Sequence, residues 1–480
     1  MLEPGVNCWR IERATRASVI VDADDYFRLA RAAMLEARKR IMLIGWDFDA
    51  RIDLDRRANR HEGPTEIGDF IYWLVERSPE LEVYLLRWDL GALATVIRGS
   101  TIFTVVKWMR HPRIHLKLDS AHPPSASHHQ KIVVLDDRFA FCGGIDMTAD
   151  RWDTRAHRDA DPDRRQQNGA PYGPWHDATT ALEGPVAGAL GELARERWQR
   201  AGGAPLRAVS ADSECWPAEL PAQFQNVDVA IARSAPELDD RPAVVEIERL
   251  YLDLIARAER FIYFENQYFA SRLIARALAA RLSEDEGPEV VVINPCEAKG
   301  WLESLAMDTT RARLYEALHR CDRRGRFRIF HPFNDGGNPV YVHAKIMIVD
   351  DVALRVGSSN LNARSMRLDT ECDVLISTTV AANAASGQSI RAFHYGLLSE
   401  HLRVDATTIA ANIRERGSLI AAIEELRGGV KTLCPYQTPD LAAVEEWLAE
   451  NDVLGSGGTD EPFEPLARRT LFRRSNRSSR

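Results

Sequence analysis

Two copies of the pattern His-x-Lys-x-x-x-x-Asp lie in this chain, one beginning at His129 and the other at His343. Each copy runs into an apolar segment, IVVL in the first and IMIV in the second. The segments upstream of the motifs also match in kind and in order, at a near-constant shift, which predicts two copies of one supersecondary unit. The matched segments are RKRIMLIGWDFD with RAERFIYFENQYF, LEVYLLRWD with PEVVVINP, and RIHLKL with RFRIF.

Helical patterns alternate with strands of valine, isoleucine and leucine in both copies. This alternation predicts an α/β fold with two similar lobes, each a mostly parallel sheet flanked by helices. Within the connection between the lobes, NVDVAIARS from Asn226 is a candidate opening strand of the second lobe. The expected divisions are a first lobe over 1–205, a connection over 206–242, a second lobe over 243–430 and an extension over 431–480 with an arginine-rich, disordered tail.

Composition and charge limit the partners, the metal sites and the cellular location that we expect for this chain. The formal net charge of −8 makes nucleic acid an unlikely main partner, because proteins that hold a nucleic-acid backbone usually carry a basic excess. The seven cysteines show no metal-ligand spacing, so we expect reduced thiols and no structural zinc. Residues 1–13 lack a signal-peptide pattern, and no apolar run reaches the ~18 residues that span a bilayer. We expect a cytoplasmic or peripheral membrane protein, with secretion by a route that reads no such signal as the alternative.

The geometry of a strand groups the motif residues. Side chains two residues apart on a strand lie on one face, so the histidine and the lysine of each motif should point the same way. The aspartate that closes each motif marks the end of its strand, where we expect it to fix the turn. The predicted catalytic set is His129, Lys131, Asp136, His343, Lys345 and Asp350.

Both motifs are followed, at the same distance, by a tight turn that contains glycine. Glycine lets the backbone approach a ligand closely, and serine, asparagine and backbone N–H groups can donate to phosphate oxygens. Further along, each half places a carboxylate at the start of an alternating strand; the polar stretch 154–174 is predicted to be a loop inserted in the first half only. The residues concerned are Asp146, Ser358 and Asn360 in the turns and Asp177 and Glu371 at the strands.

These residue types suit the cleavage of a phosphodiester. One histidine can attack phosphorus and hold the group as a phosphohistidine, while the other protonates the leaving alcohol and then activates the acceptor. Two lysines can neutralise the phosphate oxygens, a role that metal ions fill elsewhere. A carboxylate at the far nitrogen of each imidazole would set its tautomer. We therefore expect an in-line displacement that needs neither a metal nor a cofactor.

Together the motifs resemble those of the phospholipase D superfamily, whose mark is the repeated HxKxxxxD followed by a turn of glycine, serine and asparagine. The resemblance looks closest to the bacterial relatives of the eukaryotic-type enzymes. It implies two α/β lobes whose motifs meet in one cleft, with His129 as the nucleophile and His343 as the acid and base. It rests on SHHQKIVVLDDRFAFCGGIDMTADRWD, PWHDATTALEGPV, IYFENQYF and VHAKIMIVDDVALRVGSSNLNARSMRLDTE.

The resemblance also implies roles for the residues outside the two histidines. Asp177 and Glu371 would orient the imidazoles. Asp146 stands where many relatives have asparagine, and Ser358 is a further candidate donor to phosphate. The expected phosphate-binding set is Lys131, Lys345, Asn360, Asp146 and Ser358.

The leading functional hypothesis is hydrolysis of a glycerophospholipid such as phosphatidylcholine to phosphatidate and the free alcohol, with transfer of the phosphatidyl group to another alcohol through the same intermediate. The enzymatic alternatives are a cardiolipin-synthase-like phosphatidyltransferase and a phosphodiesterase or nuclease. The non-enzymatic alternative is a lipid-binding effector. The expected partners are a phospholipid substrate and the surface of a membrane, and one chain suffices to form the site.

Overall fold

The computed structural model describes residues 2–57, 62–89, 101–239, 241–297, 301–429 and 432–438. Strands and helices alternate through both halves of this part of the chain, as the sequence pattern predicts. The predicted arginine-rich tail lies outside the described residues.

The elements of the first half run from an opening strand to a long closing helix. Its strands are β1 (Arg10–Val21), β2 (Arg40–Gly45), β3 (Glu82–Trp88), β4 (Ile114–Asp119), β5 (Ile132–Leu135), β6 (Phe139–Gly143), β7 (Trp175–His176) and β8 (Ala178–Glu183). Its helices are α1 (Ala23–Leu35), α2 (Ile67–Arg77), α3 (Thr101–Met109) and α4 (Pro185–Arg200).

The second half repeats this order and adds a group of helices at its end. Its strands are β9 (Phe224–Ala235), β10 (Val244–Val245), β11 (Phe261–Asn266), β12 (Glu289–Ile293), β13 (Phe327–Phe333), β14 (Tyr341–Val342), β15 (Lys345–Val349), β16 (Ala353–Gly357), β17 (Glu371–Ser377) and β18 (Thr432–Pro435). Its helices are α5 (Glu246–Arg257), α6 (Arg272–Leu282), α7 (Trp301–Cys321), α8 (Ala363–Arg367), a 3-10 turn (Ala381–Ser386), α9 (Gly387–Leu402), α10 (Ala406–Arg416) and α11 (Leu419–Leu426).

The two halves share one sheet of sixteen strands. At its centre β1 and β9 pair antiparallel, with Ala14 opposite Val227, so each half begins at the middle and builds outward. The stretch 206–242 therefore contains a central strand, which starts close to the candidate at Asn226. The order across the sheet is β18-β13-β12-β11-β15-β16-β17-β9-β1-β8-β6-β5-β2-β3-β4, with β10 paired to β9 and with β7 and β14 in a separate pair.

The α/β class is confirmed, but the expectation of mostly parallel sheets is wrong. Only the ladders β2–β3–β4 and β11–β12–β13 are parallel in the part of the chain that the structure describes, apart from the separate pair β7–β14. The strands that follow the motifs are antiparallel to both of their neighbours. The connections explain the difference, because helical crossovers join the parallel strands, whereas connections of three residues join β5 to β6 and β15 to β16 and must reverse the chain.

A pair of aspartates, at 136–137 and at 350–351, forms the centre of the β-turn in each connection, which the N–H of residue 138 or 352 closes by donating to the carbonyl oxygen of residue 135 or 349. All four residues have positive φ, between 52° and 56°. Positive φ at both central positions defines a type I′ turn, whose twist matches that of an antiparallel hairpin. Aspartate is among the few residue types that adopt this conformation readily, so the last residue of each motif is explained by the turn it forms.

The motif aspartates also hold the start of a neighbouring strand. The carboxylate of Asp136 accepts hydrogen bonds of 2.7–2.8 Å from the backbone N–H groups of residues 38–40. Asp350 makes the same three bonds, also of 2.7–2.8 Å, to residues 259–261. Each aspartate lies at the opposite end of its short strand from the motif histidine. These contacts support its predicted role in the turn, and its inclusion in the catalytic set stays a prediction.

The helices cover both faces of the sheet and leave one core continuous across the halves. On one face, α4 and α9 pack over strands of both halves, with Leu190 and Leu398 in a single cluster. On the other face, the first half has its own cluster around Phe27 and Phe70, and the second half has one around Ile247. Among the described helices, none combines the length and the apolar character that crossing a bilayer requires.

We expect Asp136→Ala to lower the free energy of unfolding by about 2–4 kcal/mol, because it leaves backbone N–H groups at the start of β2 without their acceptor. Urea unfolding followed by circular dichroism measures the change. The control is Asp212→Ala, since the Asp212 side chain is fully exposed. Equal stability of the two variants would contradict this role for Asp136.

Candidate active site

Each motif histidine lies where its half meets the other half. The backbone N–H of His129 donates to the carbonyl oxygen of Thr370 at 2.9 Å. In the same way, the N–H of His343 donates to the carbonyl oxygen of His176 at 2.7 Å. The acceptors directly precede Glu371 and Asp177, the two predicted orienting carboxylates. These two equivalent bonds bring both motifs and both carboxylates to one place at the junction.

The histidine–carboxylate pairs cross from one half to the other. The Nδ1 atom of His129 lies 3.0 Å from both carboxylate oxygens of Glu371, and Nδ1 of His343 lies 2.6 Å from Oδ2 of Asp177. Both carboxylates are fully buried. Because each pair uses Nδ1, the Nε2 atom of each ring remains for a substrate. The structure thus brings the four predicted residues together in one site. Each half provides the carboxylate that bonds to the histidine of the other half.

The two lysines occupy different surroundings although their motifs match. Nζ of Lys131 lies 3.0 Å from Oδ2 of Asp146 and donates to the carbonyl oxygen of His129 at 3.0 Å. Nζ of Lys345 donates to the carbonyl oxygen of His343 and lies 3.0 Å from Nδ1 of that ring. The Lys345 side chain is fully buried. Both ammonium groups therefore lie beside the histidines, as the spacing predicts.

Two residues predicted to bind phosphate instead hold other members of the site. The Oδ1 atom of Asp146 accepts from the backbone N–H of Trp46 at 3.1 Å, while Oδ2 pairs with Lys131. The hydroxyl of Ser358 donates to Oε2 of Glu371 at 2.5 Å and accepts from the N–H of Cys372 at 3.0 Å. Both side chains are buried and bond to other members of the site, and direct binding of phosphate by either stays a prediction.

Asn360 and Gly144 show how the two turns differ. In the part of the chain that the structure describes, the buried Oδ1 of Asn360 has no hydrogen-bond partner; the group of this side chain that could donate to a phosphate oxygen is its Nδ2 amide. Gly144 matches Ser358 in the repeat, and a Cβ atom at Gly144 would overlap Oδ1 of Asp177. Asp177 thus requires glycine at this position of its turn. At the equivalent position of the other turn, Ser358 donates a hydrogen bond to Glu371.

Burial and neighbouring charge make both histidines neutral in the free protein. Burial, reinforced by Lys131 and Lys345, lowers the pKa of His129 to about 3. Burial, again reinforced by Lys345, lowers the pKa of His343 well below its ordinary value. An imidazole that is neutral at pH 7 has a lone pair available for attack on phosphorus.

The same burial acts on the other ionisable groups of the site. It raises the pKa of Glu371 to about 8 and also raises that of Asp177. Burial, opposed by Asp177 and reinforced by Lys131, lowers the pKa of Lys345 to about 7. The free site therefore resists the accumulation of charge, and a bound anion would favour the charged form of its lysines.

Aromatic rings that the sequence did not single out flank both histidines. The ring of Trp46 lies 6.3 Å from that of His129, and the ring of Trp175 lies 5.2 Å from that of His343. Tyr341 stacks on Trp175 at 4.7 Å. The sequence features that could have indicated these rings were the aromatic residues in the turn after β2 and in the PWHD segment. Their contacts with the motifs join distant parts of the chain, which a pattern of spacing does not reveal.

A buried cluster of ionisable residues behind His343 was also missed. The ring of His176 lies between Glu265, at 2.7 Å, and Glu400, at 2.9 Å. His157 lies 3.0 Å from Glu400. Asp22 lies 3.3 Å from His176 and accepts the backbone N–H of Asp177 at 3.0 Å. The predicted loop 154–174 thus contributes His157 to the interior, so it fixes part of the site's framework.

This cluster has the donor types and the spacing of a metal site. One donor atom from each of Asp22, His157, His176 and Glu400 lies within 4.8 Å of the others, and His176, Glu265 and His401 form a second such group. The contacts also fit a network of imidazolium and carboxylate ions. Although burial acts against it, the carboxylates raise the pKa of His157 to about 9 and that of His176 well above its ordinary value. We interpret the cluster as an ionic network that fixes the strand carrying Asp177.

Known proteins resemble this chain in sequence and in fold. A family model described as "Phospholipase D" matches residues 33–273, half of the chain, and one described as "Cardiolipin synthase, PLD-like domain" matches residues 251–391. The chain is 25% identical to phospholipase D alpha 1 of Carica papaya over 514 residues, covering 77% of this chain and 63% of the relative. It is 26% identical to phospholipase D alpha 1 of Arabidopsis thaliana over 473 residues, covering 70% of this chain and 58% of the relative. It therefore spans a little less than two thirds of the length of these relatives.

A solved structure shares the fold. The phosphatidylserine synthase of Haemophilus influenzae Rd KW20 superimposes with a TM-score of 0.53 over 79% of this chain and 86% of that one, at 14% sequence identity. Together with the crossed motifs, the family match leads to one conclusion: this chain belongs to the phospholipase D superfamily.

Proposed function

We propose that this protein is a phospholipase D that hydrolyses the distal phosphodiester bond of a glycerophospholipid such as phosphatidylcholine, giving phosphatidate and the free alcohol. The observation that carries the proposal is the crossed pair of neutral histidines, each held at Nδ1 by a buried carboxylate of the other half. The similarity to plant phospholipases D supports the substrate class.

In the first step of this mechanism, Nε2 of His129 attacks phosphorus in line with the departing alcohol. The bond between phosphorus and the head-group oxygen breaks, and that oxygen takes a proton from Nε2 of His343. Lys131 and Lys345 balance the charge on the phosphate oxygens. The product of this step is a phosphatidyl group on His129, with His343 neutral. Which histidine attacks is carried over from the family resemblance, since both have equivalent surroundings.

In the second step, neutral His343 removes a proton from water, whose oxygen attacks phosphorus. The bond between phosphorus and Nε2 of His129 breaks, which releases phosphatidate and restores the imidazole. The proton that His343 takes from water balances the one it gave to the leaving alcohol in the first step.

The low pKa of His343 in the free site raises the question of how it carries a proton at pH 7. The lysines are part of the answer, since their charge contributes to the low value. A bound phosphodiester is an anion and would offset that charge. We therefore infer that substrate binding raises the pKa of His343, so that the acid is protonated only when its substrate is present.

Phosphatidyl transfer to an alcohol other than water is the second candidate. It uses the same phosphohistidine and differs only in the acceptor, and the match of residues 251–391 to a cardiolipin-synthase domain model favours it. In either reaction the substrate lies in a membrane, so we expect peripheral contact with a lipid surface. Both motifs come from one chain, so a monomer would suffice for activity.

Purified wild type and His129→Ala test the proposed reaction. Each is given phosphatidylcholine vesicles, bis(para-nitrophenyl) phosphate and DNA, with a chelator present. We expect wild type to release choline and the variant to be slower by about 10⁴-fold or more, because the nucleophile is lost. Adding glycerol distinguishes hydrolysis from transfer through the appearance of phosphatidylglycerol. Cleavage of DNA without cleavage of lipid would support a nuclease and contradict the proposal, and binding of vesicles without turnover would support a lipid-binding effector.

The crossed carboxylates should matter equally for catalysis although they belong to different halves. We expect Glu371→Gln and Asp177→Asn each to lower kcat by about 10²–10⁴-fold, because the amide no longer fixes the tautomer of its histidine. The matched control is Glu183→Gln, at the other end of the strand that follows Asp177, where the carboxylate pairs with Arg16. Hydrolysis of bis(para-nitrophenyl) phosphate measures the effect. Activity within about threefold of wild type in either carboxylate variant would count against the crossed pairs.

Anion binding should depend on pH through Lys345. Its pKa of about 7 in the free site should rise when an anion binds, so binding takes up a proton and weakens as pH increases above 7. A methylphosphonate monoester, which stays a monoanion in this range, should bind more weakly at pH 8.5 than at pH 6 and should take up protons when titrated calorimetrically in buffers of different ionisation enthalpy. Lys345→Arg keeps its charge over this range and should lose the part of the pH dependence that Lys345 contributes, while the part due to Glu371 and His343 remains. Equal affinity of wild type at both pH values would refute this account.

A further inference from the structure

An apolar cavity of about 330 Å³ opens into the first half between the sheet and its helices. Its walls include Leu43, Leu85 and Leu116, from three adjacent strands, and Val105 and Trp108 from α3. The volume lies within the range of ~300–1,000 Å³ that is usual for ligand pockets. An apolar cavity of this size in a folded interior is a site for an apolar ligand.

The cavity is lined in part by residues of the candidate active site. Lys131 and Asp146, which form the ion pair beside His129, are among its lining residues. A ligand that fills the cavity can therefore also place an anionic group at the lysine. This continuity specifies an amphiphile with a phosphate at one end and a long apolar chain at the other.

The cavity is also bounded by three exposed apolar side chains, which form its rim. Val106, Met109 and Leu118 line it and are 39%, 71% and 48% exposed. They are three of the five large apolar side chains that are exposed in the described part of the protein; the others are Val6 and Val352. Exposed apolar residues that are concentrated at the mouth of a pocket, rather than scattered, mark a contact with lipid or with another apolar surface.

The matching place in the second half holds larger side chains. In the first half Leu43 lies opposite Val133 in the ladder between β2 and β5. At the equivalent position between β11 and β15, Phe264 lies opposite Met347, and both are buried. The two halves therefore differ at this position, with the smaller pair in the half that contains the cavity.

We propose that this cavity receives one acyl chain of the phospholipid substrate, while its rim of Val106, Met109 and Leu118 lies against the membrane from which the lipid is drawn. The inference rests on the proposed phospholipase D function and adds the site that recognises the apolar part of the substrate. The acyl chain enters past the rim, runs between sheet and helices, and leaves the phosphate between the lysines.

A series of phosphatidylcholines from dibutanoyl to dioctanoyl, each kept below its micelle concentration, tests the site. We expect kcat/KM for choline release to rise by about threefold to fourfold for each methylene that enters the cavity, and to level off once the cavity is full. Hydrolysis of bis(para-nitrophenyl) phosphate, which has no acyl chain, gives the activity of the phosphate site alone.

Filling the cavity should abolish the dependence on chain length. In Val105→Trp a large ring occupies part of the space, and we expect kcat/KM for the dioctanoyl lipid to fall to nearly that for the dibutanoyl lipid. Val352→Trp is the matched control, because Val352 is an exposed valine in the turn between β15 and β16, outside the cavity. Neither substitution should change hydrolysis of the soluble phosphodiester.

Met109→Asp tests the rim without disturbing the interior, since this side chain is mostly exposed. We expect it to weaken sedimentation with phosphatidylcholine vesicles and to slow cleavage of vesicle lipid by about tenfold or more, because a charge must leave water on insertion. Activity on the soluble phosphodiester should stay at the level of wild type.

The outcomes separate the two proposals. If wild type cleaves neither lipid nor soluble phosphodiester, the proposed function itself fails. If it cleaves phosphatidylcholine with the same kcat/KM at every chain length, or if Val105→Trp and Val352→Trp behave alike, the function stands and the acyl-chain site is refuted.

Discussion

The crossing of two buried imidazole–carboxylate pairs between the halves is the constraint on which the rest of the structure depends. Moving an ionisable group out of water costs several kcal/mol unless a partner receives it. Glu371 and Asp177 are fully buried, and the partner of each is a histidine that belongs to the other half. Each half supplies a hydrogen-bond donor to its own carboxylate, but the histidine partner comes only from the other half, so the two halves must dock in one register. The antiparallel ladder of β1 and β9 fixes that register at the centre of the shared sheet.

Several features of the fold support the same junction from outside the motifs. The hydrogen bonds from His129 to Thr370 and from His343 to His176 align the strand segments that bear the pairs. Behind one of them, the ionic network around His176 joins Asp22 of the first half to Glu265 and Glu400 of the second. These contacts are polar and buried, so each holds only if all of its members are in place. The junction is accordingly rigid where a phosphate must be held between opposed groups.

The repeat is symmetric in its chemistry but not in its packing. The two turns have adapted to different carboxylates, with Gly144 making room for Asp177 and Ser358 bonding to Glu371. The loop that contributes His157 is an insertion in the first half, and the apolar cavity lies in that half as well. A phosphodiester has unlike groups on its two sides. A site built from identical halves would not distinguish them, whereas this divergence gives the two sides of a bound phosphodiester different surroundings.

The features of the fold that depend on the pattern of neighbouring residues could be predicted from the sequence. The alternation of strands and helices and the duplicated order follow from hydrophobic patterning, which acts over a few residues. The direction of the strands was predicted wrongly because βαβ units were assumed throughout. The doublets at 136–137 and 350–351 were the signal for hairpins, since aspartate tolerates the positive φ of a type I′ turn. That signal was assigned to catalysis because both doublets begin with the motif aspartate.

By itself the sequence determined the identity of the chemistry: two histidines, two lysines and two carboxylates, placed on equivalent strands of a repeated unit. Residue spacing is enough for that, because side chains two apart on a strand must share a face. Only the tertiary structure decided how these groups combine. It paired each histidine with the carboxylate of the opposite half, turned Asp146 and Ser358 toward the lysine and the glutamate, and left an apolar cavity beside one lysine. Such contacts join residues far apart in the chain, and their distances depend on how the two halves pack rather than on any local pattern.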